Sequence, residues 1–261
     1  TLEKKLNILR NEIPGRKIKI MIMGLGSVGL YLLDYLMSMG DPDIEIFVAG
    51  RNEEKMRSDV NIVRVASLIR GQNRTKVHIA GGVDFDNISS VTECLRTSRP
   101  DIIVNSSRVY SGLKYGSISW NHVRAYGIWA PLAIKYIKNI MQACEITGCQ
   151  AIVINTSYSD AVIPWLKSAG KPYPDFGSGN INHLIPRIRF AVASQYDISD
   201  YWNIDITYAT SHFHDVVISK EGRTAGVSQL ISIRYGGDRL NVDLDRVFAE
   251  CKISMPVDAK R

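Results

Sequence analysis

One segment narrows the choice of fold more than any other. Residues 17–40 read KIKIMIMGLGSVGLYLLDYLMSMG. Ile18, Ile20 and Ile22, with Met21 and Met23 between them, make a compact apolar run that reads as a buried strand. It ends in Gly24-Leu25-Gly26-Ser27-Val28-Gly29. Leu30, Leu33, Tyr35, Leu36 and Met37 then give a helix that stops at Gly40. After the turn Asp41-Pro42-Asp43, residues 44–49 (IEIFVA) read as a second strand. A lone GxGxxG is weak evidence, but here it closes a strand, opens a helix and is followed by another strand. Such a unit points to a dinucleotide-binding turn. Gly24 permits the tight turn, Gly26 lets backbone approach a pyrophosphate, and Gly29 lets helix and strand pack closely. The Ser27, Val28 and Gly29 end of the helix attracts phosphate charge.

The alternation continues along the chain. Residues 2–12, 53–70, 87–97 and 129–146 read as helices, and 76–80, 101–105 and 151–155 as strands. Strands separated by helices of this length imply an α/β Rossmann fold, a doubly wound parallel sheet. Beyond residue 160 the pattern changes. A helix at 184–198, strands at 201–209 and 226–235, and a short helix near the end suggest a smaller α+β second lobe. The expected domains are therefore 1–160 and 161–261.

Composition excludes several classes. Of the 261 residues, 45% are hydrophobic, enough for a sizeable core, and no apolar run is long enough to span a bilayer. The first residues are of mixed charge and lack a signal-peptide apolar stretch, so a cytoplasmic protein without a membrane partner is expected. The net charge is +6, but the basic residues are scattered rather than clustered. A phosphorylated cofactor and an anionic small-molecule substrate explain so modest a positive balance as well as nucleic acid does, and with no basic cluster no nucleic-acid partner is expected. The four cysteines, Cys94, Cys144, Cys149 and Cys251, form no CxxC pair and read as reduced thiols. A homo-oligomer is expected.

Three strand ends carry candidate chemistry. The second strand ends Ala49-Gly50-Arg51-Asn52, without the carboxylate that usually accepts the ribose hydroxyls of NAD. Arg51 can face an adenosine 2′-phosphate, with Lys55 one helical turn on, so NADP is expected over NAD. The fourth strand ends Asn105-Ser106-Ser107, followed by the basic, Gly-containing stretch from Arg108 to Lys114. Asn105 and Ser106 are candidate cofactor contacts. The fifth ends Asn155-Thr156-Ser157, where the Asn155 amide can bind a nicotinamide ribose or a substrate oxygen. Further on stand Arg187, Arg189 and the run Ser211-His212-Phe213-His214-Asp215. That run suits either a proton-transferring histidine or a metal pair, but no third ligand stands at a suitable spacing, and no metal site is expected.

In order, these pieces resemble the lactate/malate dehydrogenase superfamily. The match runs over residues 17–218 through GLGSVG, RVYSGLK, INTSYSD, PRIRF and SHFHDVV. The resemblance implies an NAD(P)-dependent enzyme moving a hydride between nicotinamide and a carbonyl or alcohol, or an imine or amine, next to a carboxylate. It implies His212 as acid/base, Arg187 as carboxylate clamp, Arg108 and Lys114 on a loop over substrate, and Asn155 beside substrate or nicotinamide. Two positions depart from the family. Leu184, beside His183, stands where an Asp orients the histidine, and Lys114 stands where an Arg is usual. The Gly-Arg strand end also suits a reductase similar to saccharopine dehydrogenase, and the absent Asp suits a non-catalytic NADP-binding sensor or scaffold.

Overall fold

The computed structural model describes residues 1–71, 74–109, 129–157, 159–179, 184–210 and 229–250. They form two compact units, Thr1–Gly179 and Asn180–Arg261.

The first unit is built on a parallel sheet. Its strands are β1 (Ile18–Met23), β2 (Ile44–Ala49), β3 (Lys76–Ala80), β4 (Ile102–Asn105), β5 (Ile152–Asn155) and β6 (Phe176–Gly177). Their spatial order is β3-β2-β1-β4-β5-β6, and every pairing is parallel. This is the doubly wound order, in which the winding reverses between β1 and β4. The helices are α1 (Leu2–Glu12), α2 (Ser27–Met39), α3 (Glu53–Arg70), α4 (Ile88–Ser98), α5 (Trp129–Thr147) and α6 (Ser159–Ser168).

The apolar run in β1 has a direct structural cause: both faces of the strand are covered. Successive side chains point to opposite faces. Ile20 and Ile22 therefore join Ile46, Val48, Leu33, Met37 and Val60 in one core layer, under α2 and α3. Met21 and Met23 join Ile103, Val153, Val91, Ile137 and Ile140 in the other, under α4 and α5.

The first unit runs 19 residues beyond the expected boundary at 160. Pairings of Ile154 with Phe176 and Asn155 with Gly177 add β6 to the sheet edge. The Asp175 carboxylate also accepts the Val153 N–H at 2.8 Å and pairs with Lys5 of α1 at 2.6 Å. A two-residue strand has no periodicity to read, and Pro164 disguises α6.

The second unit holds α7 (Leu184–Tyr196), β7 (Ile204–Thr210), β8 (Gln229–Tyr235), β9 (Asp238–Arg239) and α8 (Leu244–Glu250). Its sheet is antiparallel in the order β7-β8-β9. Leu184, Ile188, Val192, Ile204, Ile233 and Val247 form its core. The expected strand at 201–209 starts later, because Tyr201–Asn203 turn as a short 3-10 helix. Among the described residues no helix is long and apolar enough to cross a membrane.

Candidate functional site: the carboxyl edge of the parallel sheet

Where β1 gives way to α2, the chain turns against the end of β4. Gly24 has φ +90°, and its N–H donates to the Ala49 carbonyl at 2.9 Å. A Cβ on Gly24 would lie 2.7 Å from the Ser107 Cα. A Cβ on Gly29 would lie 2.3 Å from the Gly24 carbonyl oxygen and 2.8 Å from the Ser106 hydroxyl. Ser106 fastens the turn: its hydroxyl donates to the Gly24 carbonyl at 2.6 Å and its N–H to the Met23 carbonyl at 2.9 Å. Packing within the protein therefore explains Gly24 and Gly29. It does not explain Gly26, whose Cβ would meet no heavy atom within 4 Å. Gly26, Ser27 and Val28 are exposed. No side chain caps α2, and no acidic residue stands in its first turn. The helix thus presents its amino end and its positive dipole to whatever approaches.

The end of β2 sorts its charged residues. Asn52 is the N-cap of α3, its Oδ1 accepting the Lys55 N–H at 2.9 Å, so its side chain serves the helix rather than a cofactor. Lys55 pairs with Asp59, and Glu53 with Arg57 at 2.7 Å. Glu45 is engaged by His78 across the strand pair at 2.7 Å. Arg51 is exposed and has no hydrogen-bond or ion-pair partner among the described residues.

The ends of β4 and β5 show a departure from expectation. Asn105 and Asn155 stand opposite each other in register, and both are 0% exposed. The Asn105 amide donates to Asn155 Oδ1 at 2.8 Å, and the Asn155 amide donates to the Ser157 carbonyl at 2.7 Å. Asn105 Oδ1 accepts the Ser107 hydroxyl at 2.5 Å and the Ser107 N–H at 3.2 Å. Neither side chain is presented to a ligand. The pair is an internal tie that holds the two loops after the strands. The signal in the sequence is the repetition of Asn-Ser-Ser and Asn-Thr-Ser at two successive strand ends. Ser107 and Ser157, overlooked as candidates, are buried in the same cluster. Asn155→Ala strands the Asn105 amide and the Ser157 carbonyl, so it should cost about 1–3 kcal/mol of stability. A urea unfolding curve checks this.

In the second unit, Arg189 is committed to structure, its Nε donating to the Ile204 carbonyl at 2.8 Å. Arg187 is half-buried and has no partner among the described residues. Leu184 is 1% exposed within the core, so no carboxylate takes the place of the family's Asp. Arg108 is exposed. Lys114, His183, His212 and His214 lie outside the described residues. Among those described, no cluster of His, Cys, Asp and Glu is arranged to hold a metal ion.

No protein-family model and no curated protein matches the sequence. Solved structures do match. The lactate dehydrogenase of Cryptosporidium parvum superposes with a TM-score of 0.59 at 13% identity, over 94% of this chain and 70% of that one. The same enzyme complexed with lactic acid and nicotinamide adenine dinucleotide gives 0.57 at 13% identity, over 90% and 67%. The malate dehydrogenase of that organism gives 0.54 at 14% identity, over 93% and 67%. At such identities the likeness is one of architecture, and the chain has the Rossmann fold of the lactate and malate dehydrogenases.

Proposed function

We propose that this chain is an NADP-preferring oxidoreductase that moves a hydride between nicotinamide and a carbonyl or alcohol, or an imine or amine, next to a carboxylate. The observation that carries the reading is Gly26. It is a glycine without a reason inside the protein, at the uncapped start of α2, on the edge where the sheet order reverses. A backbone kept bare towards open space suits close approach by a pyrophosphate. The nicotinamide dinucleotide supplies the hydride donor or acceptor.

This chain's own residues divide the remaining work. The amides of Ser27, Val28 and Gly29 hold the pyrophosphate, and Arg51 takes the adenosine 2′-phosphate. Ser106, with the buried Asn105–Asn155 tie beneath it, holds the shape of the turn. Arg187 binds the carboxylate of an anionic small-molecule substrate, and His212 takes or returns the proton. The nicotinamide adenine dinucleotide complexed with the Cryptosporidium parvum lactate dehydrogenase supports a nicotinamide cofactor. The preference for the phosphorylated form rests on Arg51 and the absence of a carboxylate at the end of β2.

Titration of NADPH and NADH by cofactor fluorescence tests the reading, and NADPH should bind more tightly. Arg51→Ala should remove about 1–3 kcal/mol of that preference, the scale of a charged hydrogen bond. Equal affinities in the unaltered chain would overturn the NADP assignment. Turnover with a panel of 2-keto acids tests the chemistry. The buried Leu184 favours one second reading, a sensor that binds NADP without turning over substrate. Binding without turnover across the panel would select it.

The proposed oligomer is a homo-oligomer. Tyr31 and Tyr35 on α2, and Ile62, Val65 and Ile69 on α3, leave apolar surface in solvent.

A further inference from the structure

The opposite edge of the sheet, where the strands begin, holds a second arrangement that the proposed chemistry does not use. A cleft of about 750 Å³ opens there between α1, the ends of α4 and α5, and the starts of β1, β4 and β5. Its cationic lining is Lys5, Arg16, Lys19, Arg96 and Arg99, against the carboxylates of Glu12 and Asp101. Asp101 accepts both terminal nitrogens of Arg16 at 2.7 Å, and Lys5 is held by Asp175. Arg96 and Arg99 are exposed and have no partner among the described residues.

Cys149 is also part of the lining. It ends the turn that closes α5. The Cys149 N–H donates to the Cys144 carbonyl at 2.9 Å, and the Gly148 N–H to the Glu145 carbonyl at 3.2 Å, with Gly148 left-handed at φ +64°. These two bonds define a Schellman motif, in which the first and last residues bring their side chains together. That contact is usually hydrophobic, but here the two positions are held by Cys144 and Cys149, and both thiols are free. One of them, Cys149, reaches the cleft half-buried, while Cys144 is buried behind it. A reachable thiol with a second thiol at its back is the arrangement of an attacking and a resolving cysteine.

We propose that Cys149 and Cys144 are a reversible dithiol–disulfide pair that exchanges with small anionic disulfides drawn into the cationic cleft. The Cys149 thiolate attacks one sulfur of the disulfide. The sulfur–sulfur bond breaks, one thiolate leaves, and a mixed disulfide forms on Cys149. Cys144 then releases its proton to solvent and attacks the Cys149 sulfur, and the second thiolate leaves. Two protein thiols are oxidised and one small disulfide is reduced to two thiols. The electrostatics suit this order. The hydrogen bond from Cys144, then that from the Ala151 N–H and the charge of Lys5, hold the Cys149 thiol below its ordinary value, against burial and Asp101. Cys144 is pushed well up by that same bond and by burial, with Asp175 adding to the rise and Lys5 opposing it. Cys94, which is buried and does not line the cleft, is pushed by burial to about 11 and should stay inert.

The test treats the whole chain with oxidised glutathione, quenches in acid, alkylates under denaturing conditions and maps peptides by mass spectrometry. The unaltered chain should yield a peptide linked between Cys144 and Cys149. Cys144→Ala should hold glutathione on Cys149, and Cys149→Ala should leave Cys144 unmodified, circular dichroism showing that both variants are folded. At low salt, oxidised glutathione should react about tenfold faster than neutral bis(2-hydroxyethyl) disulfide, each rate taken relative to the denatured chain. That ratio should fall towards one in high salt and in the Arg96→Ala, Arg99→Ala variant. If both cysteines of the unaltered chain remain free, or if glutathione adds to Cys144 in Cys149→Ala, the pair is wrong. Equal relative rates for the two disulfides at low salt would overturn the role of the cleft.

Discussion

Gly26→Val should abolish NADPH binding while leaving the chain folded. A Cβ on Gly26 would meet no heavy atom within 4 Å and Gly26 is exposed, so the variant should keep its fold. It occupies the space in front of the α2 amides, where a pyrophosphate has to come within hydrogen-bonding distance of backbone. Gly29→Val makes the contrast. Its Cβ would press to 2.3 Å from the Gly24 carbonyl oxygen, and the overpacking should cost about 1–3 kcal/mol or more in stability. The two variants therefore separate a glycine required by a ligand from one required by packing. Fluorescence titration beside circular dichroism and a thermal melt measures both. If Gly26→Val binds NADPH as the unaltered chain does, the cofactor lies elsewhere or there is none.

His212→Asn should reduce turnover by about 10²–10⁴-fold, the usual contribution of a general acid or base, with cofactor affinity unchanged. This expectation rests on the resemblance of SHFHDVV to the segment around the family's catalytic histidine, since His212 lies outside the described residues. Arg187→Ala should weaken substrate binding more than cofactor binding, because it removes a charged clamp. Leu184 bears on the choice of histidine. It lies in the core of the second unit and offers no carboxylate to orient an imidazole. His183→Asn and His214→Asn are therefore measured alongside. Full turnover in His212→Asn with a dead His214→Asn or His183→Asn would move the role to that histidine. Silence in all three would overturn the enzyme reading in this form.

The β1–α2–β2 unit was legible in the amino-acid order because everything that defines it is local. The apolar run, the three glycines and the helix stop at Gly40 lie within a few turns of one another, and each acts on its neighbours. The repeated strand–helix alternation likewise implied parallel pairing, since only crossovers of that length join parallel strands. The elements that stayed hidden depend on a partner distant in sequence. β6 is two residues long and exists because the edge of β5 offers it hydrogen bonds, and β9 exists because β8 does.

The same distinction divides the site. The bare amino end of α2 and the cation at Arg51 follow from residue types at known places after a strand. Whether Asn155 meets a ligand does not, because residue type at a strand end says nothing of what stands opposite. Register sets Asn155 against Asn105, far away in the chain, and there the Asn105 amide donates to Asn155 Oδ1 while the Asn155 amide donates to the Ser157 carbonyl, both side chains being fully buried. An amide buried at such a place is stable only when its hydrogen bonds are made, and the partners that make them are assembled by the sheet.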